Sequence, residues 1–133
     1  MYLADKSALV RFNQQAVFDE WGELFIQGQI ATCPIIDLEV LYSARSLKDY
    51  ESILAERKSL PSFPITPQST DRAIEVQHRL CEKAHHRLPI PDLLIAAVAE
   101  ENNLVVLHYD SDFDQISKIT KQATRWIVPQ GSI

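Results

Sequence analysis

Glycine, cysteine and methionine are scarce in this chain of 133 residues, which holds three, two and one of them. Each scarcity closes off an explanation. Cys33 and Cys81 form no Cys-x-x-Cys or Cys-His pair, so a zinc site is excluded and both are expected as small buried hydrophobes. Three glycines beside seven prolines exclude a low-complexity chain, and no internal repeat is present. No apolar run approaches the roughly 20 residues of a bilayer crossing; Leu93 to Ala99 is among the longest. The N-terminus also lacks the basic and then apolar pattern of a secretory signal, so a cytoplasmic protein is expected. Basic charge is short as well. Thirteen Lys and Arg against eighteen Asp and Glu leave a formal charge of -5, opposite to the usual signature of nucleic-acid binding. The deficit is uneven, because residues 43–87 carry eight basic and six acidic groups while both flanking thirds are acidic.

What remains is ordinary globular composition, 46% apolar and 23% charged, enough for one domain spanning 1–133 around a single core. Met1 to Ala4 reads as a short buried strand, followed by a helix from Ser7 to about Gln14 with Ser7 as its N-cap. Gln29 to Cys33 reads as a second strand, and Pro34 opens the helix PIIDLEVLYSAR. A helix is predicted over Leu47 to Lys58, a short strand over Ser62 to Thr66, and a helix from Thr70 to about Lys83 with the apolar stripe Ala73, Val76, Leu80, Ala84. Pro91 starts PDLLIAAVAEENN, which leads into a strand from Leu104 to His108. A short helix around Gln115 to Lys118 and a last strand at Trp126 to Val128 complete the pattern. Strands alternating with helices specify an α/β fold in three layers, α/β/α, with a central, mostly parallel sheet.

The chemistry lies in the acids. HYDSDFDQI places Asp110, Asp112 and Asp114 directly after an apolar strand. A calcium loop would need Gly at its sixth position and Glu at its twelfth, where Gln115 and Lys121 stand. A solvated turn is the plain alternative. Against it stands the placement of the other acids: sites in parallel sheets form beyond the carboxyl ends of strands, where Asp5 and Asp110 both fall. Asp92 lies in the first turn of the helix preceding that strand, where the macrodipole favours negative charge. Glu39 starts from a helix face shared with Ile35, Ile36, Tyr42 and Ser43. Two carboxylates about 5 Å apart repel by roughly 3 kcal/mol at an effective dielectric near 20, so such a cluster needs a cation. All-oxygen donors select a hard one, Mg²⁺ or Mn²⁺, and point to phosphoryl transfer or phosphodiester cleavage. The pair His85-His86 reads as surface loop.

YLADKSALV, DLEVLYSAR, PIPDLLIAAVA and VVLHYDSDFDQI resemble, in order and spacing across residues 2–116, the motifs of the PIN-domain nucleases, especially VapC-type toxins. The resemblance implies a Mg²⁺-dependent endoribonuclease leaving 5'-phosphate and 3'-hydroxyl ends, usually a homodimer, inhibited by a cognate VapB-type antitoxin. Carried over by position, it makes Asp5, Glu39, Asp92 and Asp110 the acidic cluster, Asp112 a supporting ligand and Ser7 the hydroxyl that orients the first carboxylate. Phe113 is then expected to pack the acidic loop onto the core, with Asp114 outside the site. The connection HHRLPIPD departs from relatives that carry a glycine-containing loop.

On this reading Asp5, Asp92 and Asp110 hold one ion, with Glu39 and Asp112 near a second, and Lys6, Arg11, Arg45 and Lys48 are candidates for steering the RNA backbone. The apolar helices Phe18 to Ile26 and Ile35 to Tyr42 are candidates for an antitoxin groove. The alternatives are a catalytically inactive PIN-fold module that binds RNA or protein, and an Asp-dependent phosphatase, for which little chain remains after Asp-x-Asp.

Overall fold

The computed structural model describes residues 1–133. Four short strands, β1 (Tyr2–Ala4), β2 (Ile30–Ala31), β3 (Val105–His108) and β4 (Thr124–Trp126), form one sheet in the order β2-β1-β3-β4. Every neighbouring pair is parallel, with Leu3 opposite both Ala31 and Val106. The chain leaves β1 toward β2 on one side and returns to β3 on the other, so strand order reverses between β1 and β3. Both carboxyl ends at that reversal carry acids.

Seven helices surround the sheet: α1 (Lys6–Leu9), α2 (Gln15–Ile26), α3 (Pro34–Tyr42), α4 (Leu47–Lys58), α5 (Pro67–Glu82), α6 (Ile90–Glu101) and α7 (Asp112–Thr120). Alternation along the strands sorts the core onto two faces. Leu3, Ala31 and Val106 pack with Ile36, Val76, Leu80, Phe113 and the buried run of α6. Ala4, Ile30 and Leu107 pack on the other face with Ala8, Val17, Trp21 and Ile127. The Trp21 indole N–H donates to Ile127 O at 2.8 Å, tying α2 to the end of the last strand. α6 buries Leu93 and Ile95 through Ala99, which explains its nearly continuous apolar sequence.

Several expectations need correction. The cap of α1 is Asp5, whose carboxylate accepts Ser7 N–H; Ser7 sits inside the first turn, and α1 is a single turn followed by turns to Gln14. Ser62 to Thr66 makes only one bridge, Thr32 to Ser62, because Pro61, Pro64 and Pro67 leave too few amides for a ladder. α5 starts three residues early at Pro67, since Thr66 and Ser69 close a capping box. α7 runs longer than expected, and β4 is displaced to Thr124–Trp126. Cys33 is buried but Cys81 is exposed, and Ala84 lies past α5 with φ +60°.

One ion pair braces α3 against α4. Arg57 is 5% exposed and donates Nε–H to Asp37 Oδ1 at 3.0 Å, while the Thr32 hydroxyl donates to the same oxygen at 2.7 Å. Removing the acid strands a buried cation, whereas removing the cation leaves an aspartate still bonded to Thr32 and partly solvated. Asp37→Ala is therefore expected to destabilise the fold by about 3 kcal/mol, and Arg57→Met by clearly less. Urea unfolding of both variants measures the difference; equal losses would contradict this asymmetry.

Candidate active site

The ladder ends at His108, and side chains capture the backbone beyond it. Tyr109 N–H donates to Ser7 Oγ at 2.9 Å, and the Ser7 hydroxyl donates to Asp5 Oδ2 at 2.6 Å. Ser7 N–H donates to the same carboxylate oxygen at 3.0 Å. Asp5 N–H is itself bonded to Leu107 O, so β1 and β3 are locked together where their acids emerge. Asp110 N–H donates to His108 Nδ1 at 3.1 Å, and Asp110 Oδ1 accepts Asp112 N–H at 2.9 Å. The acidic loop is thus a folded turn whose carboxylates are held from behind.

Asp92 reaches the same place from the first turn of α6. One carboxylate oxygen from each of Asp92, Asp110 and Asp112 can be chosen so that all lie within 4.8 Å of one another. Asp5, Lys6, Ser7, Glu39, Asp92 and Asp110 line one concavity of about 370 Å³. Asp5 and Asp92 are 5% and 6% exposed, and neither Asp92 Oδ2 nor Glu39 Oε1 has a hydrogen-bond partner. Burial, and then repulsion from Asp5, Asp110, Asp112 and Glu39, pushes the Asp92 carboxyl up to about 8. Glu39 is raised by burial and by Asp5, with Lys6 opposing, and Asp112 by burial and by Asp110. Buried oxygens without partners, in an all-carboxylate donor set, fit a hard divalent cation.

All four core acids and Ser7 therefore converge. The tightest grouping differs in detail from the sequence expectation: Asp112 joins Asp92 and Asp110, while Asp5 and Glu39 line the same concavity outside that group. Lys6 lines the site; Arg11 is committed elsewhere, stacked 3.9 Å from the Tyr109 ring centroid and donating to Ser7 O. Arg45 and Lys48 are exposed and do not line the acidic concavity. Phe113 is fully buried, and Asp114 accepts the Trp126 indole N–H at 3.1 Å instead of joining the acids. His108, 0% exposed beneath Asp110, is the residue that sequence reading passes over. Its signal was a polar side chain continuing the buried face of Val106.

The largest concavity is apolar, about 490 Å³, between α1, α2, α3 and α4. Val10, Phe18 and Ile26, which line it, are 54%, 55% and 85% exposed. Lys6 and Val10 line both this groove and the acidic concavity, so the two open side by side.

A raised carboxyl makes the metal-free fold pH-sensitive. Between the ordinary carboxylate range and about 8, folded Asp92 holds a proton that the unfolded chain has released. Stability is then fully present at acid pH and falls as pH rises through that window. The melting temperature in chelator is expected to drop from about pH 5 to about pH 8, and Asp92→Asn to remove much of that slope. A slope that Asp92→Asn leaves unchanged would contradict the electrostatics, since the downward-shifted His108 contributes the opposite slope in both proteins.

Comparison with known proteins agrees with this geometry. The PIN domain pattern matches residues 2–119. Ribonuclease VapC21 of Mycobacterium tuberculosis is 42% identical over 133 residues, covering 98% of this chain and 96% of that relative. Ribonuclease VapC51 of the same species is 40% identical, covering 99% and 96%. Among solved structures, DNA-bound VapBC from Salmonella typhimurium superimposes with a TM-score of 0.77 at 14% identity, covering 96% of this chain and 98% of that one. Mycobacterium tuberculosis VapC20, described as a toxin that cleaves the sarcin-ricin loop, gives 0.61 at 15% identity, covering 86% and 94%. The chain belongs to the PIN-domain family, in its VapC-type branch.

Proposed function

We propose that this protein is a metal-dependent endoribonuclease, the toxin of a type II toxin-antitoxin pair, using Mg²⁺ with Mn²⁺ as a substitute. The observation that carries the reading is the convergence of Asp5, Glu39, Asp92, Asp110 and Asp112 on one end of the sheet, with partnerless buried oxygens on Asp92 and Glu39. Relatives at 40% identity or more that are named ribonucleases support it.

Asp92, Asp110 and Asp112, with Asp5 beside them, would hold the cation, which when bound supplies positive charge to the phosphoryl oxygens and acidity to the attacking water. The protein's own groups do the rest. Ser7 keeps the Asp5 carboxylate from turning away, because its hydroxyl and its backbone N–H grip one oxygen. Glu39 Oε1, free of any partner, is the acceptor for the proton lost by water as it attacks phosphorus in line with the departing 3' oxygen. As the bond from phosphorus to the 3' oxygen breaks, that oxygen takes a proton from solvent water, giving 5'-phosphate and 3'-hydroxyl ends. Lys6 lines the concavity and offers the phosphate a cation there.

The neighbouring apolar groove supports a VapB-type antitoxin as partner. An amphipathic segment lying against Val10, Phe18 and Ile26 would run beside the acidic concavity, close enough to set a basic side chain among the carboxylates. A separate depression of about 250 Å³ between α5 and α6, flanked by Ile74 and Ile90 at 61% and 66% exposure, supports homodimer formation. No helix is long and apolar enough to cross a membrane, and a cytoplasmic location, where RNA substrate is present, belongs to the same reading.

Asp92→Asn and Asp5→Asn are expected to lower Mg²⁺-dependent cleavage of RNA by at least about a hundredfold, about 2.7 kcal/mol of barrier, while circular dichroism stays unchanged. Retained cleavage by either folded variant removes that aspartate from the mechanism. Ile26→Glu is expected to abolish co-purification with the product of the adjacent reading frame without loss of nuclease activity. An intact complex would place the partner elsewhere.

A further inference from the structure

His108 and Cys33 are fully buried titratable side chains that the proposed chemistry leaves unused, and the two ring nitrogens of His108 are in unlike surroundings. Nδ1 accepts Asp110 N–H at 3.1 Å, so it carries no proton. A neutral ring must then be protonated at Nε2, which has no hydrogen-bond partner and lies 3.9 Å from Asp114 Oδ1. Asp114 is fixed by the Trp126 indole, and the imidazole is enclosed by the Phe113 and Trp126 rings, with centroids 5.1 and 5.0 Å away. The ring cannot turn over without facing a C–H edge toward the Asp110 amide.

That amide matters because the strand ladder has ended. Two successive N–H groups beyond it, of Tyr109 and Asp110, are captured by Ser7 and His108, and the Asp110 carboxylate in turn accepts Asp112 N–H. We infer that His108, as the Nε2–H tautomer, is a positioning residue: its Nδ1 fixes the Asp110 backbone and through it the Asp110 and Asp112 carboxylates that would hold the cation. The inference rests on the metal-site reading above for its consequence, and on geometry alone for the tautomer.

The test compares His108→Asn, whose Oδ1 stands close to the place of Nδ1, with His108→Leu, which fills similar space with no acceptor. Groups that orient a metal ligand typically carry about 10- to 100-fold in affinity. Calorimetric Mn²⁺ binding is expected to weaken by about that factor in His108→Leu and to stay within about threefold of the parent in His108→Asn. Without metal, the Asp110 amide should exchange slowly in the parent and in His108→Asn and quickly in His108→Leu. Nitrogen-15 NMR of the metal-free parent should find Nδ1 unprotonated and Nε2 protonated. A proton on Nδ1, a leucine variant that binds Mn²⁺ like the parent, or equal weakening in both variants would overturn the assignment. If His108→Leu fails to fold, the ring spectrum and the asparagine variant decide. A parent chain that takes up no Mn²⁺ strikes the metal reading, while the ring spectrum and amide exchange still test His108.

Discussion

Like charges held closer together than water alone would tolerate are the constraint on which this molecule turns. Asp5 and Asp92 are almost wholly buried, Glu39 and Asp112 are driven toward their protonated forms by burial and by neighbouring acids, and Asp92 is pushed up to about 8. A fold governed only by its own stability would separate or pair these groups. Here each is anchored by a different element, Asp5 at the end of β1, Glu39 within α3, Asp92 in the first turn of α6, and Asp110 beyond β3. The backbones of Asp5, Asp92 and Asp110 cannot separate without disturbing a strand end or a helix start.

The anchoring is local and inexpensive in residues. Ser7 bonds Asp5 and the Tyr109 amide at once, joining the two strand ends that flank the reversal of strand order. His108 holds the next amide, and Asp110 holds the one of Asp112. Because these bonds begin where the sheet's own hydrogen bonds stop, the rigidity of β1 and β3 carries into the acidic loop. Phe113, buried against the core, pins the far side of the same turn.

Much of this was legible in the sequence, for identifiable reasons. Parallel strands were readable because strands alternate with helices along the chain, and α4 was placed at Leu47–Lys58, the bounds it has. The convergence of Asp5, Glu39, Asp92 and Asp110 followed from strand ends and a helix start, together with the spacing of the four motifs. What failed depended on contacts distant in sequence or on caps. The stretch around Ser62 had strand-like residues but too few free amides between its prolines. Ser7 was read as a cap when the carboxylate two residues earlier takes that role. Arg11 gave no sign of its stacking on Tyr109, a contact nearly a hundred residues away in sequence, and the bond from the Asp110 amide to His108, though local, depends on a loop turn and a ring orientation that residue types do not specify.

The same packing leaves an apolar groove open beside the acids, so a partner's apolar segment and a polyanionic substrate would approach from adjoining surfaces. Everything nonetheless returns to whether a cation sits among the carboxylates. Anomalous diffraction from crystals grown with Mn²⁺ addresses that directly. A single strong peak within ligand distance, about 2.0 to 2.2 Å, of oxygens from Asp92, Asp110 and Asp112 is the predicted result. A peak bound only elsewhere, or none at millimolar Mn²⁺ with these acids turned apart, would contradict the account.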